Sequence, residues 1–186
     1  MATQSRDGNL TLPISGRDHV RGPEDAPAAL LEYGDYECPY CGHAFLIVKD
    51  VEQRLGRRLR FAYRHFPLAE IHPHAQAAAE AAEAAGAQHK FWDMHDMLYA
   101  NQGALRPADL VRYAHAIGLD VPRFVRELSE RVHEARVRED FLSGVRSGAN
   151  GTPSFFVNGR RHDGPWDADS LIEALAVTAR GKLDAA

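Results

Sequence analysis

Cys38 and Cys41 are the only cysteines in this 186-residue chain. They enclose Pro39-Tyr40 and close the stretch Glu32-Tyr33-Gly34-Asp35-Tyr36-Glu37-Cys38-Pro39-Tyr40-Cys41. Two thiols at this spacing can exchange disulfides when one is ionised and exposed and the other can resolve the mixed disulfide. They can also form a plain disulfide, stay inert or bind a metal. The choice depends on the elements that hold them.

Ahead of the pair, Ala28-Ala29-Leu30-Leu31-Glu32-Tyr33 is a nearly continuous apolar run, the pattern of a central strand covered on both faces. Behind it, Pro39 suits the first turn of a helix, where its missing N–H would have had no partner. Cys41, Phe45, Val48, Val51 and Leu55 then fall near one helical face, and Gly56 is a plausible stop. Cys38 therefore stands before a helix, where free backbone N–H groups favour a thiolate. Cys41, one turn on, is expected to be buried. In a chain with no recognisable export signal, such a pair is more often redox-active or metal-binding than structural.

Glu32 is the anomaly of the strand. A buried carboxylate is costly, and its pKa is expected to be raised. The end of the strand adjoins the start of the helix, so Glu32 can lie under Cys41 and carry its proton. The bland alternative is a solvated residue at a strand edge. A Cys2His2 zinc site with His65, His72 or His74 is conceivable. No histidine pair has zinc-finger spacing from the cysteines, however, and His43 lies on the helix but points elsewhere, so no metal is expected. His72-Pro73-His74 reads as a lead-in to a helix.

The remaining chain supplies the scaffold. Residues 1 to about 27 are dense in glycine and proline and predict an extended arm with at most one short strand, near Leu10 to Ile14. Leu59, Phe61 and Tyr63 alternate with Arg60, Ala62 and Arg64, a strand that completes a βαβ unit. From His72 to about Ser147 the pattern predicts five helices, with apolar faces that include Val137, Phe141 and Val145 in the fifth. Gly151-Thr152-Pro153 then precedes the strand Ser154 to Val157, in which Pro153 is either a turn residue or a cis-proline. Asn158-Gly159 is a hairpin signal, with a return strand at Arg160 to Asp163. A last helix is expected from about Asp169 to Arg180, with Ser170 and Glu173 at capping-box spacing. The expected division is α/β: an arm and first half over 1–71, a helical insertion over 72–147 and a second half over 148–186.

Together these features resemble the DsbA-like branch of the thioredoxin superfamily. The pieces that match are the stretch Glu32 to Cys41, Arg64-His65-Phe66-Pro67, the helices from His72, and Gly151-Thr152-Pro153-Ser154-Phe155-Phe156-Val157-Asn158-Gly159. The resemblance implies a thioredoxin fold with an inserted all-helical subdomain. It implies that Cys38 is the nucleophile, Cys41 the resolving thiol and Glu32 a buried acid. It also implies that Pro153 is a cis-proline facing the cysteines, with Thr152 beside it in a loop that pairs with extended substrate peptides. The exported oxidases of this branch carry histidine where this chain has Tyr40, and Pro39-Tyr40 is the glutaredoxin dipeptide. A couple nearer the glutaredoxin range of about -200 to -230 mV than DsbA's roughly -120 mV is therefore expected.

The net charge of -4 gives no electrostatic reason to expect nucleic acid or an anionic membrane. No apolar run approaches the length of a membrane-spanning helix, and Met1 to Gly16 lacks the apolar core of a secretory signal. The expectation is a cytoplasmic thiol–disulfide oxidoreductase. Its partners would be protein or peptide thiols and a regenerating reductant or oxidant. It would need no cofactor beyond the dithiol, with glutathione as a candidate co-substrate. The alternatives are a peptide-binding, chaperone-like module and a glutathione-dependent isomerase or transferase. The latter commonly lack the second cysteine.

Overall fold

The computed structural model describes residues 8–183. In chain order the elements are β1 (His19–Arg21), β2 (Ala28–Gly34), α1 (Pro39–Leu55), β3 (Leu59–His65), α2 (Ala75–Gly86), α3 (Phe91–Ala100), α4 (Pro107–Ala116), α5 (Val121–Ser129), α6 (Glu134–Arg146), β4 (Ser154–Val157), β5 (Arg160–His162) and α7 (Ala168–Leu183). The sheet order is β1-β3-β2-β4-β5. β2 and β3 are parallel and joined through α1, while the other pairs are antiparallel. Helices α2 to α6 fall between β3 and β4 in sequence, so the two halves of the sheet are separated by an all-helical insertion.

β2 is the central strand because its side chains find cover on both faces. Leu30 joins the core that includes Cys41, Val48 and Val51 of α1, Leu171 and Leu175 of α7, and the insertion's Met94 and Leu98. Leu31 and Tyr33 join the opposite core, with Ala62, Phe66, Phe156 and the arm residues Leu10 and Ile14.

The arm departs from expectation. Leu10 to Ile14 is not a strand, and the short strand is His19–Arg21. The carbonyls of Leu12 and Pro13 are turned to the Arg64 guanidinium, at 2.9 and 3.1 Å, and so are not available to a sheet ladder. Arg64 also pairs with Asp18 at 2.7 Å, both side chains fully buried, and donates to the Tyr33 hydroxyl at 3.0 Å. Residues 8 to 10 instead lie along the outer side of β5, where Leu10 N–H donates to the Gly159 carbonyl and Arg161 N–H to that of Gly8.

Two helix expectations are also corrected. In α6, Val145 is exposed, and the inward face carries Val137, Asp140, Ser143 and Gly144. These residues serve polar partners: Asp140 binds Arg17, Arg136 and the His65 N–H, and Ser143 bonds the Tyr33 hydroxyl at 2.8 Å. At the start of α7 the cap is Asp167, which accepts from both the N–H and the hydroxyl of Ser170. The helix begins at Ala168, so Ser170 already lies inside its first turn.

Candidate active site

The site forms where β2 ends and α1 begins. Gly34 closes the strand, residues 35 to 37 turn, and Cys38 is the residue before the helix, in extended conformation, with Pro39 at the first helical position. On the other side of the pair lies the turn before β4. There the Thr152–Pro153 peptide is cis, and the Thr152 carbonyl accepts from the Cys38 thiol at 3.5 Å. Both cysteines are free thiols in this structure.

The two thiols have opposite surroundings. Cys41 hydrogen-bonds Cys38 and is the largest influence holding the Cys38 thiol down to about 5. Burial opposes this, while Thr152 and the backbone N–H groups of Cys41 and Tyr40 add to it. The Thr152 hydroxyl is buried. That hydroxyl is beside Cys38, and its side-chain hydrogen bond favours the thiolate. Cys41 is wholly buried. Burial, the hydrogen bond to Cys38 and the nearby Glu32 push its thiol well above the ordinary range. The Asp35 N–H donates to its sulfur at 3.5 Å.

Only 4% of the Cys38 surface is exposed. Tyr40, by contrast, is 68% exposed at the mouth of the site. The Thr152 turn and the Gln102 side chain both close over the backbone or sulfur of Cys38, which leaves the thiol a narrow approach.

Glu32 is buried in β2, paired across the sheet with Tyr63 and Phe155. One carboxylate oxygen, Oε1, is buried with no partner. Burial, followed by the negative charge that develops on Cys38, raises its pKa to about 8. It is close enough to Cys41 for its charge to raise that thiol as well. The solvated alternative for Glu32 is thereby excluded.

Several residues of the site carry no local sequence signal. The Asp35 carboxylate accepts from the N–H groups of Glu37 and Leu68 and from His72 Nδ1, each at 2.8 Å. Glu37 accepts from the His74 N–H at 2.6 Å. The lead-in segment before α2 is thus fastened to the turn before Cys38. Gln102, between α3 and α4, donates to the carbonyls of Tyr36 and Cys38, both at 2.9 Å. Tyr36 reaches His95 Nδ1 at 3.0 Å, and His43 sits edge-on to Trp166. His65 is apart from the cysteines and binds Glu83 at 2.9 Å, as does His19 at 3.0 Å. Among the described residues, His65, Glu83 and Asp140 lie close enough together to hold an ion, but their acceptors already face Arg17, Arg136 and His19.

A family model described as thioredoxin matches residues 15–176. The chain belongs to the thioredoxin family. Within it the fold is of the DsbA-like form, with the helical insertion. The structure is similar to oxidised BdbD from Bacillus subtilis, at 20% identity and a TM-score of 0.83, over 96% of this chain and 100% of that one. It is similar to a thioredoxin-like oxidoreductase from Silicibacter pomeroyi, at 26% identity and a TM-score of 0.80, over 95% and 98%. Alpha-DsbA1 from Wolbachia pipientis matches at 20% identity and a TM-score of 0.75, over 94% and 98%. Curated relatives are more alike in sequence but much longer. Na(+)/H(+) antiporter NhaA 1 of Salinispora arenicola is 48% identical over 174 residues, which is 93% of this chain and 26% of that protein. NhaA 1 of Mycobacterium sp. strain KMS is 50% identical over 171 residues, 89% of this chain and 28% of that protein. The thioredoxin-family chain spans about a quarter of the length of these relatives.

Proposed function

We propose that the chain is a thiol–disulfide oxidoreductase acting on protein or peptide thiols through Cys38 and Cys41. The observation that carries this reading is the contrast between the two thiols one helical turn apart: Cys38 at the head of α1 beside the Thr152 turn, with its thiol held low, and Cys41 wholly buried, with its thiol pushed up near the buried Glu32 carboxyl.

The Cys38 thiolate attacks one sulfur of a substrate disulfide. The other substrate sulfur leaves as a thiolate, and a mixed disulfide joins Cys38 to the substrate. Cys41 gives its proton to ionised Glu32 and attacks Cys38 Sγ. The substrate's second sulfur leaves as a thiolate, and the Cys38–Cys41 disulfide remains. Two electrons have passed to the substrate. In the opposite direction Glu32 returns the proton to Cys41 as a substrate dithiol is oxidised. The Thr152 carbonyl beside Cys38 is placed to pair with the backbone of an extended substrate. Glutathione is a candidate co-substrate, and the cytoplasm, where thiols are kept reduced, is the proposed compartment.

Cys41→Ser is expected to trap mixed disulfides that Cys38→Ser cannot form, and trapped partners can be identified after non-reducing separation. Membrane ion transporters belong among the partners sought, because the matching relatives are named as antiporters. Full dithiol-dependent insulin reduction by Cys38→Ser would remove Cys38 from its role. Cell fractionation tests the compartment.

A further inference from the structure

Gln102 belongs to the helical insertion, yet it is bonded to the redox turn. Its amide Nε2 donates to the Tyr36 and Cys38 carbonyls, at 2.9 Å each. The Cys38 carbonyl also accepts the first hydrogen bond of α1, from the Gly42 N–H at 3.1 Å. The side chain therefore shares an acceptor with the helix itself. It lies so close to α1 that a Cβ on Gly42 would fall 2.0 Å from its Oε1 and 2.7 Å from its Cδ. Glycine inside a helix is less favourable than alanine. At position 42 that cost has a physical reason, since it makes room for the Gln102 amide.

We propose that Gln102 is a positioning residue through which the insertion fixes the first turn of α1 and thereby sets the reactivity of Cys38. The inference rests on the oxidoreductase reading and adds a residue to it. The backbone N–H groups of Tyr40 and Cys41, which favour the Cys38 thiolate, belong to the turn that Gln102 holds. Asp35 and Glu37 fasten the preceding residues to the 68–74 segment. Gln102 reaches the backbone of Cys38 itself. When it is lost the turn can fray, the N–H groups lose their aim at the sulfur, and the thiolate is less favoured.

The test is the pH dependence of Cys38 alkylation by iodoacetamide in the reduced full chain. Gln102→Ala is expected to raise the midpoint by about one unit, a roughly tenfold weaker acid. Gly42→Ala removes the space that the amide occupies while favouring the helix. It is expected to raise the midpoint in the same direction with no loss of thermal stability. In the double variant, Gly42→Ala adds nothing to Gln102→Ala, because both act through one contact. An unchanged midpoint in either single variant, beside a low midpoint in the parent protein, overturns the role of Gln102. So does a Gly42→Ala shift that persists without Gln102. If Gln102→Ala does not fold, the Gly42→Ala midpoint decides. A parent midpoint in the ordinary thiol range would instead defeat the oxidoreductase reading.

Discussion

Glu32 and Cys38 are acids displaced in opposite directions, and this separates their effects on stability. Cys38 is held below its ordinary value of 9.0, at about 5. The stability it adds to the dithiol form is full above the ordinary value and is lost as pH falls through about 5. Glu32 is held above its ordinary 4.5, at about 8. The folded state then binds the extra proton, so stability falls as pH rises from near 4.5 to near 8. Glu32→Gln is expected to abolish that decline, which spans no more than about 5 kcal/mol, in urea melts of the oxidised protein, where Cys38 carries no thiol. A pH slope equal to the parent's would show that Glu32 does not titrate there. The same variant is expected to slow resolution of the mixed disulfide in single-turnover kinetics. At this scale the chemistry was legible because its signals are local: two thiols at fixed spacing, and one acid inside an apolar run. Asp35, His72 and Gln102 were not legible in their roles, since their partners lie 37 and 66 residues away and only the fold brings them together.

Among the elements, α6 shows where hydrophobic periodicity misleads. β2, β3, β4 and helices α1 to α4 follow the expected patterns because each turns an apolar face to a core, whereas α5 buries Phe124 but leaves Val125 exposed. α6 turns Asp140, Ser143 and Gly144 inward, to meet the arm, Tyr33 and the backbone of His65. An apolar stripe cannot report such a face. Gly144 allows the close approach, for a Cβ there would fall 2.7 Å from Phe66 and 3.0 Å from Tyr33. Those rings are buried and have no room to yield. Gly144→Ala is expected to destabilise the protein by about 1–3 kcal/mol despite its better helix propensity, as measured by chemical denaturation. A gain in stability would show that the rings repack freely. The absence of the strand expected at Leu10 to Ile14 has a related cause: Arg64, buried within β3, takes the carbonyls of Leu12 and Pro13 that a strand would have used.

For the molecule as a whole, the redox potential integrates these local effects. A Cys38 thiol near 5 lies between the values of about 7 for thioredoxin and about 3.5 for DsbA. Tyr40 faces solvent and brings no cation to the sulfur. The couple is expected to equilibrate with glutathione buffers nearer about -200 to -230 mV than DsbA's -120 mV. A value near the latter would mean that the backbone and Thr152 stabilise the thiolate without help from the Pro39-Tyr40 pair. The division into sheet halves and insertion was readable from the change of period at His72 and again at Ser154. The way the insertion grips the redox turn was not, since it depends on contacts of His72, His74, His95 and Gln102 with residues far away in the chain.

The separation of 114 positions between Cys38 and Thr152 also orders events in time. At about 5–20 residues per second, the cysteines are synthesised roughly 6 to 23 s before the turn that will face them. β4 pairs with β2 only after that interval. Until then the nascent chain presents its dithiol without Thr152, and the contact that flanks Cys38 forms only when the last fifth of the chain has docked.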